Sequence, residues 1–232
     1  MTEAIIPLIS LISLELILGI DNIIFISILV SKLPEKQQKN LRFWGLGLAM
    51  IIRLILLAFI SWILKLDQTL FTLFNIGFSG KGIILMAGGL FLIFKSTKEI
   101  YEKTEDKEDD IPEASVKGSF RKLLFEIILI DLVFSIDSII TAVGMVQELW
   151  VMYTAVVVTV VIMLFASKPI SEFIQKHPSF KILALCFLLM IGLSLIAEGL
   201  HFEIPKGYIY FSMAFAFLVD LIQMRSDKRK VK

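Results

Sequence analysis

Seven stretches of this chain are apolar over a length that equals or approaches a membrane span, and this limits the fold before any motif is read. A hydrocarbon core about 30 Å thick takes roughly 20 apolar residues in a helix. Backbone polar groups find no water there, so helices that satisfy their own hydrogen bonds are the expected solution. The stretches are Ala4–Val30, Phe43–Leu64, Phe78–Phe94, Leu123–Val146, Leu149–Ser167, Ile182–Ala197 and Tyr208–Met224. Leu70–Ile76 reads as a short interfacial helix leading into the third. The first stretch has no basic n-region and no small-residue cleavage site, so it is expected to stay as a span and not to be removed as a signal peptide.

Composition points the same way. Of 232 residues, 57% are hydrophobic and 19% charged, with a net charge of +1. Soluble domains run nearer 45–50% apolar and about 25% charged. These values exclude a disordered chain, a nucleic-acid binder and an ordinary cytosolic enzyme. The single cysteine, Cys186, excludes internal disulfides and reads as a small apolar packer. His177 and His201 fall in loops, read as solvated, and cannot by themselves build a zinc site.

Lysine and arginine orient the chain. Nineteen of them lie in the loops after spans one, three and five or in the C-terminal tail, whereas the alternate loops hold only Lys65 and Lys206, with Lys81 at the outer end of span three. The N-terminus is therefore expected outside and the C-terminus in the cytoplasm of an inner (plasma) membrane protein. The chain reads as one transmembrane domain over residues 1–232: a first half at 4–95, a charged cytoplasmic linker at 96–120, a second half at 121–198, and an extra helix at 206–224. The mixed-charge run Glu102–Glu113 reads as solvated linker.

An internal repeat connects the halves. LELILGIDNIIFI begins at Leu14 and IDLVFSIDSIITA at Ile130, and an offset of 116 aligns Glu15 with Asp131, Gly19 with Ser135, Asp21 with Asp137 and Asn22 with Ser138. Apolar matches are cheap in such a composition, but four polar or small positions at one offset are not. Gly89-Leu90 and Gly192-Leu193 echo each other at an offset of 103, so the second half has a shorter internal connection. Three spans per half invert the second half relative to the first. The expected fold is all-α: a polytopic membrane protein of seven transmembrane helices, an inverted repeat of three plus one extra. Such repeats place a substrate site near the midplane.

The acids lie at that depth. At about 100° per residue, Glu15, Gly19 and Asn22 share a helix face, as do Asp131, Ser135 and Ser138, with Asp21 and Asp137 beside them. Gly19 and Ser135 are small enough for the two helices to approach closely. The expectation is one oxygen-rich cluster of Glu15, Asp21, Asn22, Asp131, Asp137 and Ser138, with Arg53 of span two as a counter-ion. An ionised side chain at a helix centre costs roughly 2.5–3.5 kcal/mol on the insertion scale, so four carboxylates there point to an ion or proton path. Oxygen ligands without sulfur or imidazole suit Mg²⁺, Ca²⁺ or Mn²⁺. Glu126, Glu198 and Asp220 read as interfacial, and Gly88 and Gly89 as permitting tight helix packing.

ELILGIDNIIFI, LLFEIILIDLVFSIDSIITAVGM, GGLFLIFKSTKEI, KHPSFKILALCF and PKGYIYF resemble the corresponding segments of the TerC family of integral membrane proteins, named after tellurium resistance. The resemblance covers nearly the whole chain and is that of a short member without appended cytoplasmic domains. It implies a transporter superfamily, with relatives linked to manganese export, and carries the motif acids over to Glu15, Asp21, Asn22, Asp131 and Asp137. One departure is Gly82 after Lys81, where relatives often have an acidic residue.

The reading is an exporter of a divalent cation, Mn²⁺ favoured and Ca²⁺ or Mg²⁺ open, exchanged for protons, with no permanently bound cofactor and no enzymatic activity. Its partners are the lipid bilayer and the metal ion. Two alternatives stand beside it: a non-transporting anchor for a stress-resistance or secretion-linked complex, and an intramembrane aspartyl protease using Asp21 and Asp137 as a dyad. The protease reading leaves Glu15 and Asp131 unexplained.

Overall fold

The computed structural model describes residues 2–73, 76–105, 116–146, 148–202 and 204–230. The chain is built from helices: α1 (Thr2–Val30), α2 (Glu35–Ala58), the short α3 (Ile60–Ile63), α4 (Gly80–Thr104), α5 (Val116–Met145), α6 (Leu149–Lys176), α7 (Pro178–Gly199) and α8 (Lys206–Lys230). Five of them (α1, α2, α6, α7 and α8) are long and apolar enough to cross a membrane by length and composition. The helix starts follow local chemistry. Ser79 caps α4 by accepting the Gly82 backbone N–H at 3.0 Å, and Pro178 begins α7, where its missing N–H costs nothing.

Residues expected as an interfacial helix form a β-hairpin instead. β1 (Thr69–Leu73) pairs antiparallel with β2 (Ile76–Ser79), and Phe71 stacks on Phe78 with ring centroids 5.1 Å apart. Threonine and phenylalanine favour extended strands, and a run this short would not nucleate a helix alone. This hairpin, with α3 and a 3₁₀ turn, joins α2 to α4, whereas α6 passes to α7 through His177 alone. That difference accounts for the fall in repeat offset. The expected linker falls partly outside the described residues: α4 carries its start as far as Thr104, and 106–115 are not described.

Packing exchanges partners between the halves. α1 packs on α6 and α2 on α5, while α4 meets α7, α1 meets α5 and α2 meets α6. The α4–α7 contact is the closest. A Cβ at Gly192 would lie 2.8 Å from the Gly89 carbonyl oxygen, and one at Gly82 would lie 2.7 Å from that of Gly199. Gly88 faces Val133 of α5 as tightly. The core fills the space between with Ile23, Ile26, Leu85, Leu92, Ile130, Leu185 and Leu188. Ile6, Phe94, Phe165, Phe211 and Ile222 stay exposed, an apolar belt suited to lipid. Cys186, expected to pack inside, is also exposed.

Gly89→Ala should therefore destabilise the purified protein by about 1–3 kcal/mol, because the new methyl meets backbone. Gly47→Ala, with nothing within 4 Å of its Cβ position, should be neutral or stabilising by up to about 1 kcal/mol. Detergent melting curves of the two variants check both; equal effects would contradict the packing.

Candidate functional site

The motif acids form two centres, not the single cluster expected. In the first, Arg53 of α2 is fully inside the protein and its guanidinium is shared between the halves. Nη1 pairs with Glu15 of α1, Nη2 donates to Asp131 Oδ1 of α5 at 3.2 Å, and Nε donates to Ser135 Oγ at 3.1 Å. The Ser135 hydroxyl donates to Asp131 Oδ2 at 3.0 Å, and the Asn22 amide donates to Asp131 Oδ1 at 3.2 Å. Arg53 is thus the counter-ion expected, Glu15 and Asp131 are occupied by it, and Ser135 belongs to the same network. Ser138 is not directed at the acids; its hydroxyl bonds the Ser135 carbonyl one turn back. Gly19 serves α6 and not α5: a Cβ there would lie 2.7 Å from the Met163 sulfur.

The second centre surrounds a cavity of about 30 Å³, the scale of one or two water molecules. Asp21 of α1 and Asp137 of α5 both line it, with Leu18, Phe134, Ser194 and, from α8, Lys206, Ile209 and Tyr210. Tyr210 donates its hydroxyl to Asp21 Oδ2 at 3.1 Å, while Asp21 Oδ1 is buried with no partner among the described residues, as is Asn22 Oδ1. Lys206 pairs with Asp137 Oδ2 and lies 3.6 Å from Glu198 Oε2. Lys81 lies 3.5 Å from Asp137 Oδ1 and 3.0 Å from Glu198 Oε1. Glu198, expected to be interfacial, is thus a member of this network.

Sequence reasoning missed Lys206, Tyr210 and the part played by Lys81. Lys81 and Lys206 carried a signal, since basic residues are rare on the side of the chain where they lie and need a local reason. Tyr210 carried none. Glu126, read as interfacial, is buried and pairs with Lys95 of α4. A further ion pair joins Lys32, after α1, to Glu99 of α4, with Glu102 at 3.4 Å.

Chemically, the cavity offers carboxylate oxygens from both halves and neutral oxygens from Tyr210 and Ser194, a hard-donor set for a small cation. Among the described residues no three Asp, Glu, His or Cys side chains converge into a group that would hold a metal unaided.

A family model described as "Integral membrane protein TerC family" matches residues 1–231. The chain is 52% identical over 223 residues to a UPF0053 protein of Haemophilus influenzae, covering 96% of this chain and 94% of that one. It is 45% identical to the UPF0053 inner membrane protein YgdQ of Escherichia coli, over 93% of this chain and 90% of that one. Identity to the inner membrane protein YoaE of E. coli is 48% over 97% of this chain, which spans 43% of YoaE. No solved structure matches this chain.

Arg53→Met should cost about 3–5 kcal/mol, because it strands two buried carboxylates. Adding Glu15→Gln and Asp131→Asn should recover part of that loss. Melting and membrane accumulation of the single and triple variants check it; a single variant as stable as the parent would show that Arg53 does not hold this centre together.

Proposed function

We propose, for a chain that belongs to the TerC family of integral membrane proteins, that it is a secondary exporter of a divalent metal cation, Mn²⁺ foremost, which binds between Asp21 and Asp137. The observation that carries this reading is the cavity itself. One acid from each half of the chain lines it, and among the described residues one of their oxygens is buried without a partner.

In this reading all seven long helices cross the membrane, with the N-terminus outside and the C-terminus in the cytoplasm. α1, α2 and α4 form one half of an inverted repeat and α5, α6 and α7 the other; the exchange of partners, α1 on α6 and α2 on α5, is what a twofold relation between the halves requires. Arg53 with Glu15 and Asp131 is the frame about which the halves rock, not a ligand set. A cation enters from the cytoplasm, the halves shift, and a proton from outside takes its place on Asp21, the aspartate with no ammonium beside it. Removing either aspartate then removes half of the cation's charge compensation at a site where water cannot replace it.

A ligand that binds the folded state stabilises it by RT ln(1 + [L]/Kd), about 2.7 kcal/mol at a hundredfold excess over Kd. Mn²⁺ should raise the melting temperature of the parent protein and raise it much less in Asp21→Asn and Asp137→Asn. Both variants should remain folded in the membrane while everted vesicles carrying them lose Mn²⁺ uptake. An unchanged metal-induced shift in either variant means that aspartate is not a ligand, and the shared-site reading then fails.

A further inference from the structure

The extra helix α8 lies outside the repeat and packs on α7, with most of its surface exposed: Tyr208, Phe211, Phe215 and Ile222 all face outward. Yet its first turn sends Lys206, Ile209 and Tyr210, three residues on one helix face, into the cavity lining. Two of these are hydrogen-bond donors, and each takes one of the two aspartates: Lys206 on Asp137, Tyr210 on Asp21. Every such donor holds an oxygen that a metal ion would need. Beside them Glu198 of α7 lies 3.6 Å from the Lys206 ammonium and 3.0 Å from that of Lys81. It is a second carboxylate within reach of both cations.

We propose that the first turn of α8 is a tethered competitor for the transported cation, with the Lys206 ammonium held on Asp137 in the empty protein and handed to Glu198 when the cation binds. This inference rests on the reading that Asp21 and Asp137 hold the cation. The transfer needs no charge to enter or leave the outer network. Lys206 and Lys81 neutralise Asp137 and Glu198 in the empty state, and both ammonium groups have Glu198 to turn to once Asp137 is engaged. The empty carrier then rearranges without leaving Asp137 bare in hydrocarbon, and α8 sets the affinity of a site that the repeat alone would leave more strongly charged.

Competition has a signature that a structural role does not share, because losing the competitor tightens binding. An opposite charge at contact distance biases a carboxylate by about one to three pK units, ten- to a thousandfold. Mn²⁺ titrations of the full chain in detergent, read by calorimetry, should show Lys206→Met binding at least about tenfold tighter than the parent, with Lys206→Arg near the parent. Should Lys206→Met fail to fold, Glu198→Gln serves in its place: it removes the alternative seat for both ammonium groups and should weaken binding about tenfold. In proteoliposomes Lys206→Met should lower KM and also lower the maximal rate. Equal or weaker Mn²⁺ binding by Lys206→Met, or unchanged binding by Glu198→Gln, overturns the competitor role while leaving the cation site standing. Absence of Mn²⁺ binding by the parent itself overturns both.

Discussion

One guanidinium holds the middle of this protein together. A lone carboxylate buried in an apolar helix is expensive, and two of them, Glu15 and Asp131, sit at positions that the offset of 116 aligns. Arg53 meets both at once and reaches Ser135 with its third nitrogen, so α1, α2 and α5 are joined through a single side chain. Its planar fork is what makes this possible; a lysine would present a point charge and serve one partner well. Because the partners come from different halves, the pair also sets how the halves meet.

Much of this was legible in the sequence, for an identifiable reason. Charged groups in a span are too costly to be scattered, so their spacing carries information, and the offset linking Glu15 to Asp131 and Asp21 to Asp137 singled out the acids of the two centres. The grouping of the acids was harder to read. Asp21 follows Glu15 by six residues, which turns the helix about 120° away and advances about 9 Å. That places Asp21 on its own cavity and not beside the Arg53 network, and the same spacing separates Asp137 from Asp131. The hairpin at Thr69–Ser79 was misread because a short apolar run looks alike in either conformation, and only its threonine and phenylalanine content argued for strands. Tyr210 was beyond reach for a different reason. It follows the repeat in sequence, and nothing local says that α8 turns its first residues toward α1 and α5.

The tightest packing lies away from the charges. Gly82, Gly89, Gly192 and Gly199 let α4 and α7 touch backbone to backbone, and each approach is reciprocal: Gly89 meets Gly192 and Gly82 meets Gly199. Without a hydrophobic difference between lipid and side chain, such close contact is the main way helices in a membrane hold one another. Gly89 and Gly192 also stand at matching positions of the weaker echo between the halves, so the contact falls where residues that correspond meet each other. α4 and α7 also bring Lys81 and Glu198 to the same end of that contact, where they meet at 3.0 Å. Packing and electrostatics there have a common origin in the way two helices are laid together.

In the proposed cycle, charge balance favours a divalent over a monovalent cargo. Across the two centres stand five carboxylates (Glu15, Asp21, Asp131, Asp137 and Glu198) against three cations (Arg53, Lys81 and Lys206). With every acid ionised, the surplus is two negative charges. One belongs to the shared guanidinium, which serves two acids; the other to Asp21, which has only a tyrosine hydroxyl as donor. A monovalent ion at the cavity leaves one of these standing in a region of low dielectric, where an uncompensated charge interacts strongly over the whole width of the bundle. A divalent ion brings the sum over the two centres to zero. When the ion leaves, protons on the acids can restore the same balance, because a carboxylate with no cation beside it is the group that burial most readily neutralises. The arithmetic that makes the empty site hard to keep fully ionised is thus what couples metal release to proton uptake in the proposed cycle.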